Sequence, residues 1–389
     1  MISRTLRRAL PPLVAVLALV ACSKDKKIDP PAQLVDFVPR LSVQKLWSES
    51  LGGGDQRMRL GLSPAADGER VFAASHKGEV IALDAATGRS QWRVATKRPL
   101  SAGPGVGAGL VAVGSEKGDV IALNEENGAL LWKVAVGGEL LSAPAVSEKV
   151  VVVHTVDGRL KGLARADGKE LWTVDQTVPR LSLRGAARPV IVGDTVVCGF
   201  DNGKVVAVNA IQGDALWEST VAPAKGRTEL ERLVDIDSSV EIADKDVFVV
   251  GFQGRAAMLA LDTGQIWWAR DASSYRGLAL GPDALYISDA DGAVIAMRRQ
   301  DGGELWRQDL LHRRQLSGPA IDGGAVVVVD FEGYVHWIDR ADGAIIGRAR
   351  AEKGRAARPI VVNGIVIVQS ESGSLTAFRS RPRGKPAAG

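Results

Sequence analysis

Apolar and polar residues alternate most clearly in residues 111–132, a stretch that the rest of the chain repeats. Residues 111–115 and 119–124 each alternate with the two-residue period of a β-strand, which sends successive side chains to opposite faces. Gly118 lies in a tight hairpin between them, because glycine accepts the positive φ that such a turn needs. Gly128 turns the chain again before a third strand. The stretch therefore predicts antiparallel strands joined by short turns.

This unit recurs at a constant spacing. Each copy has a hairpin glycine, a second-turn glycine ten residues later and, in most copies, a tryptophan four residues after that. The hairpin glycines are Gly78, Gly118, Gly158, Gly203, Gly254, Gly292 and Gly333. The tryptophans are Trp92, Trp132, Trp172, Trp217, Trp268 and Trp306. A repeat of about 40 residues with four short strands is typical of a β-propeller.

The two ends of the repeat array complete each other. Gly347 occupies the seventh tryptophan position, and Gly373 is an eighth hairpin glycine with no tryptophan after it. Trp47 stands alone near the start, so its strand is predicted to complete the last blade. The sequence thus predicts an all-β fold, an eight-bladed β-propeller of four-stranded antiparallel blades closed by the N-terminal strand. The tryptophans are expected to pack between blades as core residues, in preference to stacking on a ligand.

The N-terminal segment predicts export and lipidation. Residues 1–21 have a basic start and an apolar run too short to span a bilayer, as in a signal peptide. Residues 19–22, Leu-Val-Ala-Cys, resemble a bacterial lipobox, and this resemblance implies cleavage before Cys22 and lipidation of its thiol. Ser23 in the next position favours the outer membrane over the inner membrane. The alternative is an ordinary secretory signal with a chance cysteine.

The remaining chain divides by composition. Residues 22–39 are polar, charged and proline-containing and predict an extended lipidated tether. Residues 40–378 carry the repeats without a composition break, and the basic residues 379–389 predict a disordered tail. The formal net charge of +4 comes partly from the signal and the tail. Because an exported protein meets little nucleic acid, no nucleic-acid partner is predicted.

Residues that could support catalysis or bind a metal form no recognisable motif. The four histidines fall at unrelated points of the repeat, and no spacing is typical of a metal site. The acidic and amide residues that follow the second strand of each copy recur, as turn-capping residues do. Cys198 lies in a strand pattern and is predicted to be a buried core residue. No catalytic residue, metal or cofactor is therefore predicted.

Two consecutive connections between blades are longer than most. The run from tryptophan to the next hairpin glycine is usually 24 to 27 residues, but 31 from Trp172 and 37 from Trp217. The run from Trp47 is also 31. The spacing inside the repeat is constant, so the extra residues belong to loops that enter the next blade. Such insertions collect on one face of a propeller, usually the binding face.

The composition of these two connections predicts a protein-binding patch. Residues 175–189 place Leu181 and Leu183 among arginines, including Arg184. Residues 222–240 contain a predicted short helical turn around 229–233, followed by Asp235 and Asp237. An apolar centre with charged groups around it suits a protein interface. The alternative is that the leucines only pin a long loop to the ring.

A lipobox, an eight-bladed repeat and the motifs LSLRG (181–185) and ERLVDID (231–237) together resemble the BamB family. The resemblance covers the whole mature chain and implies a non-catalytic scaffold of the outer-membrane β-barrel assembly machinery, anchored on the periplasmic side. It implies that Leu181, Leu183 and Arg184 contact the POTRA domains of BamA, with Asp235 and Asp237 supporting the same patch. Other subunits of the complex are implied partners, and unfolded outer-membrane proteins are a further, less secure one.

Two other functions fit the repeat. A quinoprotein dehydrogenase resembles this architecture, but such enzymes usually carry adjacent cysteines and acidic ligands for calcium, whereas this mature chain has one cysteine besides Cys22. A cell-wall-binding lipoprotein could use the face of the ring to hold polysaccharide. Site chemistry, and not fold, separates these classes.

Overall fold

A computed structural model describes residues 29–52, 61–223, 227–228, 230–231, 233–236 and 238–383. The first and last strands in the chain share one sheet. It contains β1 (Leu41–Ser50), and its other strands are β31 (Ile360–Val362), β32 (Ile365–Gln369) and β33 (Ser374–Pro382), in the order β1-β33-β32-β31. The prediction that the N-terminal strand completes the last blade, blade 8, is confirmed. No helix occurs in the described part of the chain, so none there is long and apolar enough to cross a membrane.

The other seven blades follow one another along the chain, and in each the strands pair in sequence order. Blade 1 contains β3 (Ala65–Asp67), β4 (Arg70–Ala74), β5 (Glu79–Asp84) and β6 (Ser90–Ala95). Blade 2 contains β7 (Leu100–Gly107), β8 (Leu110–Ser115), β9 (Asp119–Asn124) and β10 (Leu130–Ala135), and the short β2 (Gly61–Leu62) pairs in parallel with β7. Blade 3 contains β11 (Ala145–Val146), β12 (Val150–His154), β13 (Arg159–Ala164) and β14 (Glu170–Asp175). Blade 4 contains β15 (Val190–Val192), β16 (Thr195–Gly199), β17 (Lys204–Asn209) and β18 (Ala215–Thr220).

The second half of the ring has the same arrangement. Blade 5 contains β19 (Glu241–Ala243), β20 (Asp246–Val250), β21 (Gly254–Ala260) and β22 (Ile266–Ala272). Blade 6 contains β23 (Leu278–Leu280), β24 (Ala284–Ser288), β25 (Val294–Arg298) and β26 (Glu304–Gln308). Blade 7 contains β27 (Ala320–Asp322), β28 (Ala325–Val329), β29 (Tyr334–Asp339) and β30 (Ile345–Arg350). The predicted eight-bladed propeller of four-stranded antiparallel blades is confirmed.

Burial explains why the strands of a blade differ in sequence. The second and third strands are buried on both faces, because neighbouring blades cover them, and so they are continuously apolar. The fourth strand lies at the rim and buries little besides its tryptophan, as in β10 and β18. Each blade therefore contributes to two core layers, one on each side.

The tryptophans fasten each blade to the next. The indole nitrogen of Trp132 donates to the carbonyl oxygen of Arg165 at 2.8 Å, and its ring lies against Gly168, the second-turn glycine of blade 3. A Cβ at Gly168 would lie 2.7 Å from that ring, and the residue has a φ of +75°, so the turn requires glycine. The predicted packing of tryptophan between blades is confirmed.

Two predicted boundaries need correction. Residues 379–382 were assigned to a disordered tail, but they continue β33 and pair with residues 41–44, because β1 extends far enough to supply ladder partners. The predicted tether also lies against the ring from residue 31 onward. Leu34 and Phe37 pack against the core between blades 6 and 7, and Arg314 donates from Nη1 to the carbonyl oxygen of Ala32 at 2.9 Å.

Candidate partner-binding surface

The two long connections lie beside each other at the hairpins that join the second and third strands of their blades. We call residues 176–189 and 221–240 the paired loops. The nitrogen of Gln176 donates to the carbonyl oxygen of Gly158 at 2.9 Å, and that of Val221 donates to the carbonyl oxygen of Gly203 at 3.0 Å. Both loops therefore begin on the face that carries these hairpins, as predicted from the spacing of the repeat.

The first of the paired loops presents an apolar and a cationic side chain to solvent. Leu181 is 42% exposed, and Leu183 is half-buried. Arg184 is exposed and forms an ion pair with Glu139, with 2.6 Å between Nη2 and Oε1. Glu139 belongs to the connection that enters blade 3, so this pair ties the loop to a neighbouring blade.

Asp235, from the second loop, holds the first loop in place. Its Oδ2 accepts a hydrogen bond from the backbone nitrogen of Leu183 at 2.5 Å, and the Asp235 side chain is fully buried. The backbone of Asp235 is itself fixed, because its carbonyl oxygen accepts from the nitrogen of Phe252 at 2.7 Å. Asp235 thus joins the two loops to each other and to blade 5.

The environment of Asp235 disfavours its charged form. Burial raises the pKa of this carboxyl to about 7, the hydrogen bond from Leu183 opposes that shift, and nearby Asp201 adds to it. The other oxygen, Oδ1, has no hydrogen-bond partner among the described residues. A proton on the carboxyl would be accommodated there, while Oδ2 would still accept from the nitrogen of Leu183.

The second loop is anchored at one end and exposed in the middle. Leu233, Val234 and Ile236 are buried, and the carboxylate of Glu231 accepts from the backbone nitrogen of Thr228 at 3.1 Å. Thr228 Oγ1 accepts in return from the nitrogen of Glu231 at 3.2 Å, as in a capping box. Leu230, in the turn that follows the Thr228 cap, is 65% exposed. Leu230 and Glu231 lie in a turn, whereas residues 229 and 232 of the predicted helical turn lie outside the described residues.

The structure brings together the three predicted contact residues, Leu181, Leu183 and Arg184, and Asp235, one of the two predicted supporting residues. Asp237 and the lipidation residue Cys22 lie outside the described residues. The sequence interpretation missed Glu139 and Leu230. Leu230 gave a usable signal, since it is an isolated leucine in a charged loop, whereas Glu139 is distant in sequence and gave none.

No group in the described residues has the arrangement of a metal site. Cys198 is fully buried, as predicted, and burial raises the pKa of its thiol above the ordinary range, which keeps it protonated. His154, 3.6 Å from the sulfur, has its pKa lowered by burial. A protonated thiol beside a neutral imidazole inside the core is a packing arrangement and not an activated nucleophile.

Sequence comparison finds a family that covers the described ring. The family described as outer membrane protein assembly factor BamB matches residues 39–96, 76–307 and 290–382. A relative of that name from Pseudomonas aeruginosa is 51% identical over 371 residues, which are 95% of this chain and 98% of the relative. The one from Alkalilimnicola ehrlichii is 48% identical over 380 residues, 97% of this chain and 98% of the relative.

Solved structures agree with this similarity. BamB from Moraxella catarrhalis has a TM-score of 0.79 and 29% identity, and the match covers 87% of this chain and all of that one. Quinohemoprotein alcohol dehydrogenase from Comamonas testosteroni has a TM-score of 0.67 at 13% identity, with 88% of this chain and 78% of that one covered, which shows a shared fold alone. The chain belongs to the BamB family of outer membrane protein assembly factors.

Proposed function

We propose that the protein is a non-catalytic scaffold of the outer-membrane assembly machinery that binds the POTRA domains of BamA through the paired loops. Leu181, Leu183 and Arg184 are the proposed contact residues, with Asp235 and Asp237 as their support. The observation that carries this proposal is the hydrogen bond from Leu183 to the buried Asp235, which holds an exposed leucine and an exposed arginine in one fixed arrangement.

The way in which the first loop is held favours a role of Leu181 in partner binding over a role in attaching the loop to the ring. The half-buried Val178 already anchors the first loop, since its side chain lies against Gly158 on the neighbouring hairpin. Leu181 is therefore not needed as an anchor, and its exposure leaves apolar surface to solvent at a preorganised site. Preorganised apolar groups give more binding energy than mobile ones, because less conformational entropy is lost on association.

The charges near Leu181 suit an acidic partner surface. Arg180 is exposed, and Arg184 has one carboxylate partner, Glu139, at the edge of the patch. Guanidinium groups at the rim of an interface orient the partner and raise the association rate. We propose that they align the ring on BamA while the leucines supply the desolvated centre.

The proposed location is the periplasmic side of the outer membrane, with the chain anchored through lipid on Cys22. Several acyl chains on one residue anchor a protein stably, since each buried CH₂ contributes about 0.8 kcal/mol. The docked segment from residue 31 would then leave eight residues, 23–30, between the lipid and the ring. Labelling with palmitate, in wild type and in the Cys22→Ser variant, tests this anchor, and label retained in the variant would exclude it.

A second candidate role is contact with unfolded outer-membrane proteins along the rim. In blades 2 to 6 the residue before each tryptophan is a large apolar residue and is exposed, and these residues are Leu131, Leu171, Leu216, Trp267 and Leu305. They lie on the outermost strand of each sheet, which has one unpaired edge in the described residues. An extended polypeptide could pair there and cover these side chains.

Site-specific photocrosslinking in cells tests the proposed BamA contact. A photoreactive residue at position 181 should crosslink to the POTRA region of BamA, and the same residue at position 216, which is also an exposed leucine in the native chain, should not. Crosslinks of equal strength at both positions would contradict the proposal.

A further inference from the structure

One cavity on the axis of the ring has the character of a ligand site. Its volume is about 580 Å³, in the range usual for small-molecule sites. All eight blades line it with residues that precede or lie in their innermost strands, so it is centred on the axis. We call this cavity the axial channel. The proposed contact residues Leu181, Leu183 and Arg184 do not line it, although Arg188 and Ser238, from the ends of the paired loops, do.

Arginines from three blades line the axial channel. Among the described residues its ionisable lining consists of Arg188, Arg276 and Arg358, from blades 4, 6 and 8, together with Tyr275. An adjoining cavity of about 360 Å³ shares Arg188 and Arg358 and adds Glu241. Glu241 pairs with Arg358, with 2.5 Å between Oε1 and Nη1, so Arg188 is not the guanidinium that this carboxylate holds.

The arginines differ in how they are held. Arg358 is fixed, since Nη1 donates to Glu241 Oε1 at 2.5 Å and Nε donates to the carbonyl oxygen of Pro319 at 2.9 Å. Arg188 donates from its guanidinium to no other described residue. Arg188 is exposed to solvent in the channel. Desolvation lowers the pKa of its guanidinium and nearby Arg358 lowers it further, while Glu241 opposes both. Arg188 therefore presents to the channel a guanidinium group that has no hydrogen-bond partner among the described residues.

A second group in the channel also has no partner. Ser142 is only 5% exposed, lines the same cavity, and its Oγ has no hydrogen-bond partner among the described residues. A buried hydroxyl without a partner is unfavourable. Ser63 and Ser239 add further hydroxyls to the lining, whereas the hydroxyl of Ser238 already donates to the carbonyl oxygen of Val250 at 2.9 Å. Guanidinium and hydroxyl donors around one cavity form the donor set that recognises oxyanions.

We propose that the axial channel binds a small oxyanion, held by Arg188 and Ser142. Arg188 would form the bidentate contact that guanidinium groups make with carboxylate or phosphate, and Arg358 would add charge from its fixed position. The carboxylate and phosphate classes share this chemistry. A ligand of either class would pair with Arg188 and satisfy the hydroxyl of Ser142.

Isothermal titration calorimetry on the detergent-solubilised full-length protein tests the proposal. Citrate and pyrophosphate are titrated separately at low, matched ionic strength, so that the two arms separate a polycarboxylate from a phosphate ligand. At least one should bind saturably with a stoichiometry of one. The Arg188→Gln variant should bind it at least tenfold more weakly, whereas Arg159→Gln, which alters an exposed arginine elsewhere, should bind it like wild type.

The Ser142→Ala variant keeps the test informative if Arg188→Gln does not fold. It removes an unpartnered hydroxyl, so folding should survive, and the affinity for the anion should fall several-fold. No saturable binding of either anion would overturn the proposal and leave a channel filled by water. Equal affinity in wild type, Arg188→Gln and Ser142→Ala would also overturn it, since the anion would then bind elsewhere.

Discussion

Seven junctions between blades share one construction, and the junction between blade 7 and blade 8 differs from them. In the seven, an indole on the outermost strand donates to a backbone carbonyl of the next blade and packs on the glycine of its second turn. At the closing junction Gly347 occupies the tryptophan position. There Trp337, on the neighbouring strand, is fully buried and donates to Asp322 Oδ2 at 2.9 Å.

The topology explains this difference. In blade 8 the third and fourth strands are β33 and β1, from opposite ends of the chain, so no turn connects them. A tryptophan at position 347 would therefore find neither the carbonyl nor the glycine that receives it elsewhere. The start of β1 fills the space, and the nitrogen of Arg40 donates to the carbonyl oxygen of Ile346 at 2.9 Å. A departure from a repeat can thus follow from how the ring closes.

Removing a junction tryptophan should have the largest effect. Trp172 donates to the carbonyl oxygen of Ala210 at 2.9 Å and belongs to the core between blades 3 and 4. The Trp172→Ala variant should lose about 3 to 5 kcal/mol in its free energy of unfolding, as buried aromatic residues do. Urea unfolding followed by tryptophan fluorescence measures this loss. Trp267→Ala, at an exposed rim position, should cost far less, and equal losses in both would contradict the role of the junction.

The link between the paired loops should add a pH dependence that the tryptophan junctions lack. Asp235 keeps its proton to about pH 7 in the folded protein but loses it near pH 4 when unfolded. The folded state binds more protons between these values, so stability falls as pH rises through this range. Asp235→Asn cannot titrate. Its stability relative to wild type should increase by about 2 to 3 kcal/mol from pH 5 to pH 8, at 1.36 kcal/mol per pKa unit.

Urea midpoints measured at several pH values for wild type and Asp235→Asn check this slope. Asparagine keeps an oxygen that can accept from the nitrogen of Leu183, so the loops should stay joined. A difference between the two proteins that does not change with pH would contradict the proposed protonation of Asp235 near neutrality.

Glycine-to-alanine substitutions at one junction of each type should differ in their effect on stability. Gly128 has a φ of +72°, and a Cβ there would lie 2.7 Å from the ring of Trp92, so Gly128→Ala should lose about 1 to 3 kcal/mol. Gly347 has no positive φ, and its Cβ would come no closer than 3.3 Å to any neighbour. Gly347→Ala should therefore stay within about 1 kcal/mol of wild type. Thermal unfolding measures both, and equal losses would contradict the difference in packing.

The exposed ion pairs at the surface of the junction between blades 7 and 8 should contribute least to the free energy of unfolding. Arg40 pairs with Asp339 at 2.6 Å and with Asp342 at 3.0 Å, and Arg40 and Asp342 are largely exposed. Exposed ion pairs contribute about 0 to 1 kcal/mol each, so Arg40→Ala should lower the free energy of unfolding by no more than that at low salt. The loss should shrink in 1 M NaCl, because salt screens exposed charges. A loss as large as that of Trp172→Ala would mean that Arg40 has a structural role beyond these pairs.

The sequence predicted the structural features that recur in every repeat. Turn glycines and tryptophans at a fixed spacing predicted the blades, the closure of the ring by the strand of Trp47 and the packing between blades. This was possible because each copy of the repeat has the same residues at the same positions. The two long connections could also be recognised from the sequence, because their lengths differ from the constant spacing of the other repeats. These lengths point to the loop that contains Leu181 and Arg184, whose contact with BamA stays a proposal.

The sequence could not predict contacts that join distant segments without a repeating pattern. The pairing of residues 379–382 with β1 depends on a strand more than 300 residues away. The ion pair of Arg184 with Glu139 and the bond from Leu183 to Asp235 likewise follow from how loops of different blades meet. The three arginines of the axial channel come from blades 4, 6 and 8, so only ring closure brings them together.

The most direct test of the proposed BamA interface is an affinity measurement on purified protein and the purified POTRA region of BamA. Leu181→Glu places a charge at the proposed apolar centre, while Leu216→Glu makes the same change at a rim leucine that is 50% exposed. Circular dichroism should show both variants folded. Leu181→Glu is expected to weaken binding at least tenfold, with Leu216→Glu close to wild type. Undiminished binding by folded Leu181→Glu would contradict the assignment of the paired loops as the partner-binding surface.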